Sequence, residues 1–217
     1  MAEGTPVVAG SADGADPAET EAEAEAQRVL RSRIDLSVLP PLTRAVTEAV
    51  LCATADFDYV TDLVCDEAVL GAGVSALKYG ASVVVDSAMV AAGITECPVI
   101  APVAQPLAAR LSRTAGITLG AAGVRLGFGE AGPGAVWVVG SAPDALEEIL
   151  SRFVDPALVI AMPVGLDRAA RAKEALRASG VPSLSNVSEK GGPAVAVAAF
   201  RALFRVAAAS AGHATSG

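Results

Sequence analysis

Three short apolar runs constrain this chain more than any other feature: Val83-Val84-Val85, Val136-Trp137-Val138-Val139 and Leu158-Val159-Ile160-Ala161. Each stops abruptly at turn residues, and a helical pattern follows each turn. A strand that is apolar at every position must be buried on both faces, which a parallel sheet between two helical layers provides. Leu63-Val64-Cys65, Pro98–Ala101 and Ser183–Val187 are weaker candidate strands. The pattern predicts an α/β fold of three layers, a mainly parallel sheet with helices on both faces.

Helices are expected where apolar residues recur on one face. Pro40-Pro41 opens one in which Leu42, Ala45, Val46, Ala49, Val50 and Ala53 share a face. Others span Glu67 to Tyr79, closed by Gly80, and about Gln105 to Ala115. Further helices run from Ala142 to Phe153, from Asp167 to Ser179, closed by Gly180, and from Pro193 to about Ala208. Residues 1–18 lack periodicity and read as a disordered acidic arm, and residues 209–217, with the sole histidine His213, as a disordered tail. One domain over residues 19–208 is expected between them.

Charge excludes one class of partner. Seven acids precede the first base, Arg28, leaving 17 of the 24 acids against 16 bases in the body despite a net charge of −8. That body has no basic footprint for nucleic acid. Cys52, Cys65 and Cys97 are spaced for neither a disulfide framework nor a metal site. No uninterrupted apolar run reaches membrane-span length and no signal peptide is evident, so a cytoplasmic protein without membrane partners is expected.

In parallel sheets, ligands bind beyond the carboxyl ends of the strands, against helix N-termini. Four turns are thereby singled out: Asp86-Ser87, Gly140-Ser141, Pro163-Val164-Gly165 and Lys190-Gly191-Gly192. None is a nucleotide fingerprint. The glycine-rich stretch Leu126–Gly134 is expected to form a loop. A fifth feature is Val50-Leu51-Cys52-Ala53-Thr54-Ala55-Asp56-Phe57-Asp58-Tyr59, which gathers a thiol, a hydroxyl and two carboxylates where a helix ends. Asp56 and Asp58 rank above Cys52 as proton-transfer groups. A buried carboxylate can act near neutral pH, whereas a thiol at a helix C-terminus has no local activator. Turn formation or helix capping is the other role open to the two aspartates.

Ala55-Asp56-Phe57-Asp58-Tyr59 after its helix resembles the signature segment of the precorrin-8X methylmutases. Val85-Asp86-Ser87-x-Met89-Val90-x-x-Gly93-Ile94, Gly140-Ser141-Ala142-Pro143, Pro163-Val164-Gly165 with Lys173-Glu174-Ala175-Leu176, and Lys190-Gly191-Gly192 are similar to further segments of that family, in the same order. The resemblance implies a cofactor-free isomerase that shifts a methyl group from C-11 to C-12 of a corrin precursor. It also implies a homodimer whose pocket is completed by the partner subunit near Leu119. The substrate-binding set it implies is Thr54, Asp86, Ser87, Met89, Leu119, Gly140, Ser141, Gly165, Lys190, Gly191 and Gly192.

The chain departs from the family where the chemistry is credited. Cys52 stands at the family's histidine, Leu119 at its substrate-contacting arginine, and Glu25-Ala26-Gln27 at its Glu-Ser-Phe. These changes imply a pocket more apolar and less suited to a polyanionic macrocycle. The first expectation is therefore a diverged enzyme that isomerises, cyclises or rearranges another bulky conjugated small molecule in a secondary biosynthetic pathway. The alternatives are an authentic precorrin-8X methylmutase, or a non-catalytic protein that binds a corrinoid or pigment.

Overall fold

The structure, a computed structural model, describes residues 17–152 and 154–212. Residues 1–16 of the expected arm lie outside the described residues. So do Phe153 and, at the other end, residues 213–217 of the expected tail, with His213; residues 209–212 belong instead to the last helix. Ten helices appear among the described residues: α1 (Pro17–Arg33), α2 (Pro41–Thr54), α3 (Tyr59–Asp62), α4 (Glu67–Lys78), α5 (Ala88–Gly93), α6 (Pro106–Ala115), α7 (Leu119–Ala131), α8 (Pro143–Ser151), α9 (Arg168–Ser179) and α10 (Pro193–Gly212). The strands are β1 (Leu63–Val64), β2 (Val83–Val85), β3 (Val136–Val139), β4 (Leu158–Ala161) and β5 (Ser183–Asn186), in the spatial order β1-β5-β4-β3-β2. β2 to β5 are parallel, and β1 pairs antiparallel with β5 through Leu63 opposite Asn186 and Val64 opposite Ser185. The fold is the expected three-layer α/β arrangement. Pro98–Ala101 contributes only one bridge, between Ile100 and Val84.

Alternation along each strand divides the core in two. Val83, Val85, Val136, Val138, Leu158 and Ile160 face one side, packed against Val46 and Val50 of α2, Leu70 of α4 and Phe200 and Leu203 of α10. Val84, Trp137, Val139, Val159 and Ala161 face the other, against Val124 of α7, Leu146 and Ile149 of α8, and Leu176 of α9. This is the two-residue period of a strand, made apolar on both faces because helices cover both. By length and mean hydropathy, 1.6 over its most apolar window, α10 could cross a membrane. Here it is a core helix, carrying Arg201 and Arg205 and packing against α2 and α4.

The start of α2 is fixed by a side chain from elsewhere in the chain. Pro40 offers α2 no side-chain cap. Glu67, in the first turn of α4, supplies one: its carboxylate accepts from Leu42 N at 2.7 Å and from Thr43 N at 2.9 Å. Two free N–H groups and a helix dipole thus meet one anion. Although burial pushes the Glu67 carboxyl upward, these bonds outweigh it and hold it below its ordinary range.

The expected loop Leu126–Gly134 is instead the second half of α7, followed by a turn. Its glycines serve packing. A Cβ on Gly123 would stand 2.4 Å from Val103 Cγ2, and one on Gly127 would stand 2.8 Å from Val84 Cγ1 and 3.3 Å from the Trp137 ring. Glycine lets α7 lie close to the sheet at a cost in helix propensity. Gly129 on the same helix faces open space.

Two substitutions should therefore move stability in opposite directions. Gly127→Val should lose about 2 kcal/mol by overpacking, and Gly129→Ala should gain up to about 1 kcal/mol from propensity. Urea denaturation of both variants measures this, and equal losses at the two positions would refute the packing role of Gly127.

Candidate active site

The carboxyl ends of the strands form one continuous edge. Asp86, buried at the end of β2, accepts through Oδ2 from Ser141 N at 2.7 Å and Ala142 N at 2.8 Å, ahead of α8. Ser141 Oγ lies 3.0 Å from Ser87 Oγ, while Ser87 caps α5 by accepting from Val90 N. Gly140 packs against the start of α10, where a Cβ would come within 2.9 Å of Pro193 Cα. Gly192 N donates to Met162 O at 2.7 Å and Gly165 N to Glu189 O at 3.1 Å, drawing the turns after β4 and β5 together. The predicted turns are thus joined, chiefly through backbone atoms.

The turn after β5 is organised by a cation that sequence reasoning took for part of a motif rather than for a buried group. Lys173 of α9 is fully buried, and its ammonium donates to Asn186 Oδ1 at 2.7 Å, Ser188 O at 2.6 Å and Lys190 O at 2.9 Å. All three ammonium protons are thereby used. Burial pulls the Lys173 pKa down to about 8. Asp62 holds the same turn from the other side, accepting from Ser188 N and Ser188 Oγ at 2.7 Å and from Asn186 Nδ2 at 2.8 Å. Burial pushes the Asp62 carboxyl up, but the bonds from Asn186 and Ser188 outweigh it and keep the group ionised.

Held this way, Lys190 reaches the end of α2. Its ammonium lies 2.7 Å from Asp56 Oδ2 and 2.6 Å from Asp58 Oδ2. The expectation that burial raises a carboxylate here needs correcting. Lys190, helped by the Asp58 N–H, holds the Asp56 carboxyl below its usual range, and the pair in turn raises Lys190. Asp56 also accepts from Asp58 N at 3.1 Å, a turn bond that follows the left-handed Ala55 (φ 54°) closing α2. Thr54 Oγ1 donates back to Val50 O at 2.8 Å. The carboxyl that burial does raise, against its backbone hydrogen bonds, is Asp86. Asp86 Oδ1 and Trp137 Nε1 have no hydrogen-bond partner among the described residues, and both residues line a small closed cavity beside α7.

Cys52 faces elsewhere. It is exposed and lines a groove of about 330 Å³ between α1, α2 and α10, floored by alanines and bounded by Glu23, Gln27, Arg201 and Arg205. No strand-edge residue lines this groove. Burial, then Glu48 and Glu23, push the Cys52 thiol upward, so at neutral pH it is S–H rather than thiolate. The groove carries two guanidinium groups beside its alanine floor. Leu119 opens α7, where Thr118 caps it by accepting from Ala121 N, and Met89 sits in the first turn of α5. Both side chains are exposed. Arg201 and Arg205 lay hidden in an alanine-rich helix, four residues apart on one face. That spacing was the available signal.

Asp86 makes a measurable claim about pH. Its folded pKa lies above the ordinary carboxylate value, so its contribution to stability is complete below about pH 4 and is lost as pH rises through the folded value. Asp86→Asn keeps a carbonyl acceptor for the two backbone donors and removes the buried charge. Relative to wild type it should be more stable at pH 7 than at pH 4, read by urea midpoints at the two pH values. A relative stability that falls toward pH 7 would contradict this.

With the geometry in hand, comparison with known proteins is direct. The precorrin-8X methylmutase family model matches residues 21–206. The cobalt-precorrin-8 methylmutase of Methanocaldococcus jannaschii is 34% identical over 166 residues, covering 75% of this chain and 79% of that protein. The Salmonella typhimurium enzyme of the same name is 32% identical over 184 residues, covering 81% and 87%. The crystal structure of precorrin-8X methylmutase from Thermus thermophilus superposes with a TM-score of 0.77 at 31% identity, covering 87% of this chain and 98% of that one. With its fold and residues 21–206 matched, this chain belongs to the precorrin-8X methylmutase family of isomerases.

Proposed function

We propose that this chain is a corrin-precursor methylmutase, moving a methyl group from C-11 to C-12 of precorrin-8 or its cobalt form, without a cofactor and as a homodimer. The carrying observation is the groove beside Cys52. It joins an alanine-lined floor, suited to the face of a conjugated macrocycle, to two arginines able to meet carboxylate substituents. Its volume, about 330 Å³, accommodates only part of such a ring. A second copy of the chain closing over the groove would enclose the remainder.

Migration of a methyl group within one molecule adds and removes no atoms. The protein's task is to hold the reactive conformer, exclude water and support charge redistribution. Arg201 and Arg205 serve the first task. Cys52, as a neutral thiol, lends a weak hydrogen bond where the family resemblance places an imidazole. A thiol near its ordinary pKa or above is a poor acid at neutral pH, so the step is slower than a histidine in that position would make it. The strand-edge groups support the pocket from behind: Asp86, Ser87, Gly140, Ser141, Gly165 and the Lys190-Gly191-Gly192 turn fix the ends of α5, α8, α9 and α10. Asp56 and Asp58, both paired with Lys190, position the end of α2 and with it Cys52 and Thr54.

One pair of observations favours a second reading, an enzyme diverged toward another bulky conjugated substrate. Both Cys52 and Leu119 lack the chemistry that the resemblance assigns to their positions. Anaerobic conversion of precorrin-8X to hydrogenobyrinic acid, followed by absorbance, separates the two. On the proposed function wild type turns over slowly, and Cys52→His accelerates it about a hundredfold. If wild type and Cys52→His both fail to bind or convert precorrin-8X, the diverged reading takes its place.

A further inference from the structure

The groove beside Cys52 has an unusual wall. α1 forms one side of it, yet from Glu21 to Val29 no side chain of that helix is buried, whereas Leu30 is. Leu30, with the Arg31–Glu48 ion pair at 2.9 Å, anchors the C-terminal half of α1 to α2. The N-terminal half is held across the groove by charge. Glu23 Oε2 lies 2.6 Å from Arg205 Nη2, and Glu23 Oε1 lies 3.8 Å from Arg201 Nη1. Arg201 is additionally paired with Glu96. Glu23 is thus the carboxylate set between the two arginines, against the alanine floor and within the same groove as Cys52.

An exposed ion pair of this kind contributes little to stability, because water screens it and side-chain entropy opposes it. The Arg205 and Glu23 side chains are 48% and 44% exposed. A ligand carboxylate offering the same hydrogen bonds, together with apolar contact along the floor, would displace Glu23 at small cost. The charge balance is unchanged by the exchange, since one carboxylate leaves as another arrives.

Resting on the corrin-precursor function above, we propose that Arg205 and Arg201 form the docking site for a carboxylate substituent of the substrate, and that Glu23 of α1 occupies that site in the free protein as an internal competitor. Entry of a polycarboxylate frees the N-terminal half of α1, and its departure lets Glu23 return. Arg205 is the specificity-determining residue, and Glu23 sets how much affinity is withheld.

The two partners of one ion pair make the test. Hydrogenobyrinic acid and its fully methylated ester are titrated by absorbance into the full-length wild-type protein, Glu23→Gln, Arg205→Gln and Arg205→Lys, with melting temperatures checked for folding. Removing the competitor should tighten binding of the acid about threefold. Removing the docking cation should weaken it about tenfold, with Arg205→Lys in between. The ester should bind all four proteins alike. If the pair merely pins α1 in place, Glu23→Gln and Arg205→Gln break the same contact and shift affinity in the same direction, which would overturn the inference. Tight binding of the acid that is indifferent to Arg205 would overturn it while leaving the corrin-precursor function standing. Absence of binding in every protein would remove both.

Discussion

One buried ammonium group organises the working end of this molecule. Lys173 spends all three of its protons on the turn after β5, and that turn carries Lys190 to the end of α2. A charge taken so far out of water is tolerable only when fully hydrogen-bonded. The requirement works in both directions: the turn satisfies the lysine, and the lysine leaves the turn one conformation. From there the chain of contacts runs through Asp56 and Asp58 to the helix that bears Cys52. A cation on one face of the sheet thereby sets the position of a thiol on the other.

The remaining scaffold solves a simpler problem, bringing helices close to a sheet that is apolar throughout. Gly127 gives α7 the clearance to reach Val84 and Trp137, and Glu67 supplies the cap that Pro40 denies α2. Both devices fix helices by geometry rather than by strong attraction. The groove floor follows from the same economy of side-chain size. Alanines on α1, α2 and α10 let three helices meet and still leave an apolar surface between them.

The sequence disclosed these parts unevenly, for physical reasons. Strands β2, β3 and β4 were legible because burial on both faces leaves a signature no solvent-exposed element shares. The strand-edge turns were legible because a chain that reverses beside a helix N-terminus needs Asp, Ser, Gly or Pro there. α7 was not legible, since Gly123 and Gly127 look like loop residues until the walls they approach are known. Lys173 stood out only as part of a motif and Asp62 not at all, because burial of a polar group depends on partners distant in sequence. Asp56 was singled out as a candidate but assigned the wrong electrostatics, because Lys190 lies 134 residues away along the chain. Cys52 was singled out too, but its neighbours Arg201 and Arg205 come from the last helix.

Gly191 has a consequence for how such a site can change. With φ at 148°, a Cβ there would stand 2.3 Å from Met162 O, so the turn before α10 presses backbone against backbone. Contacts of that sort hold no side chain that could be exchanged for another without moving the sheet. The strand edge is consequently a part of the fold that drift can break but hardly retune. The groove is its opposite, built from side chains on helix surfaces where replacement leaves the frame intact. On the proposed function, new substrate preferences would arise along α1, α2 and α10, whose side chains form the groove.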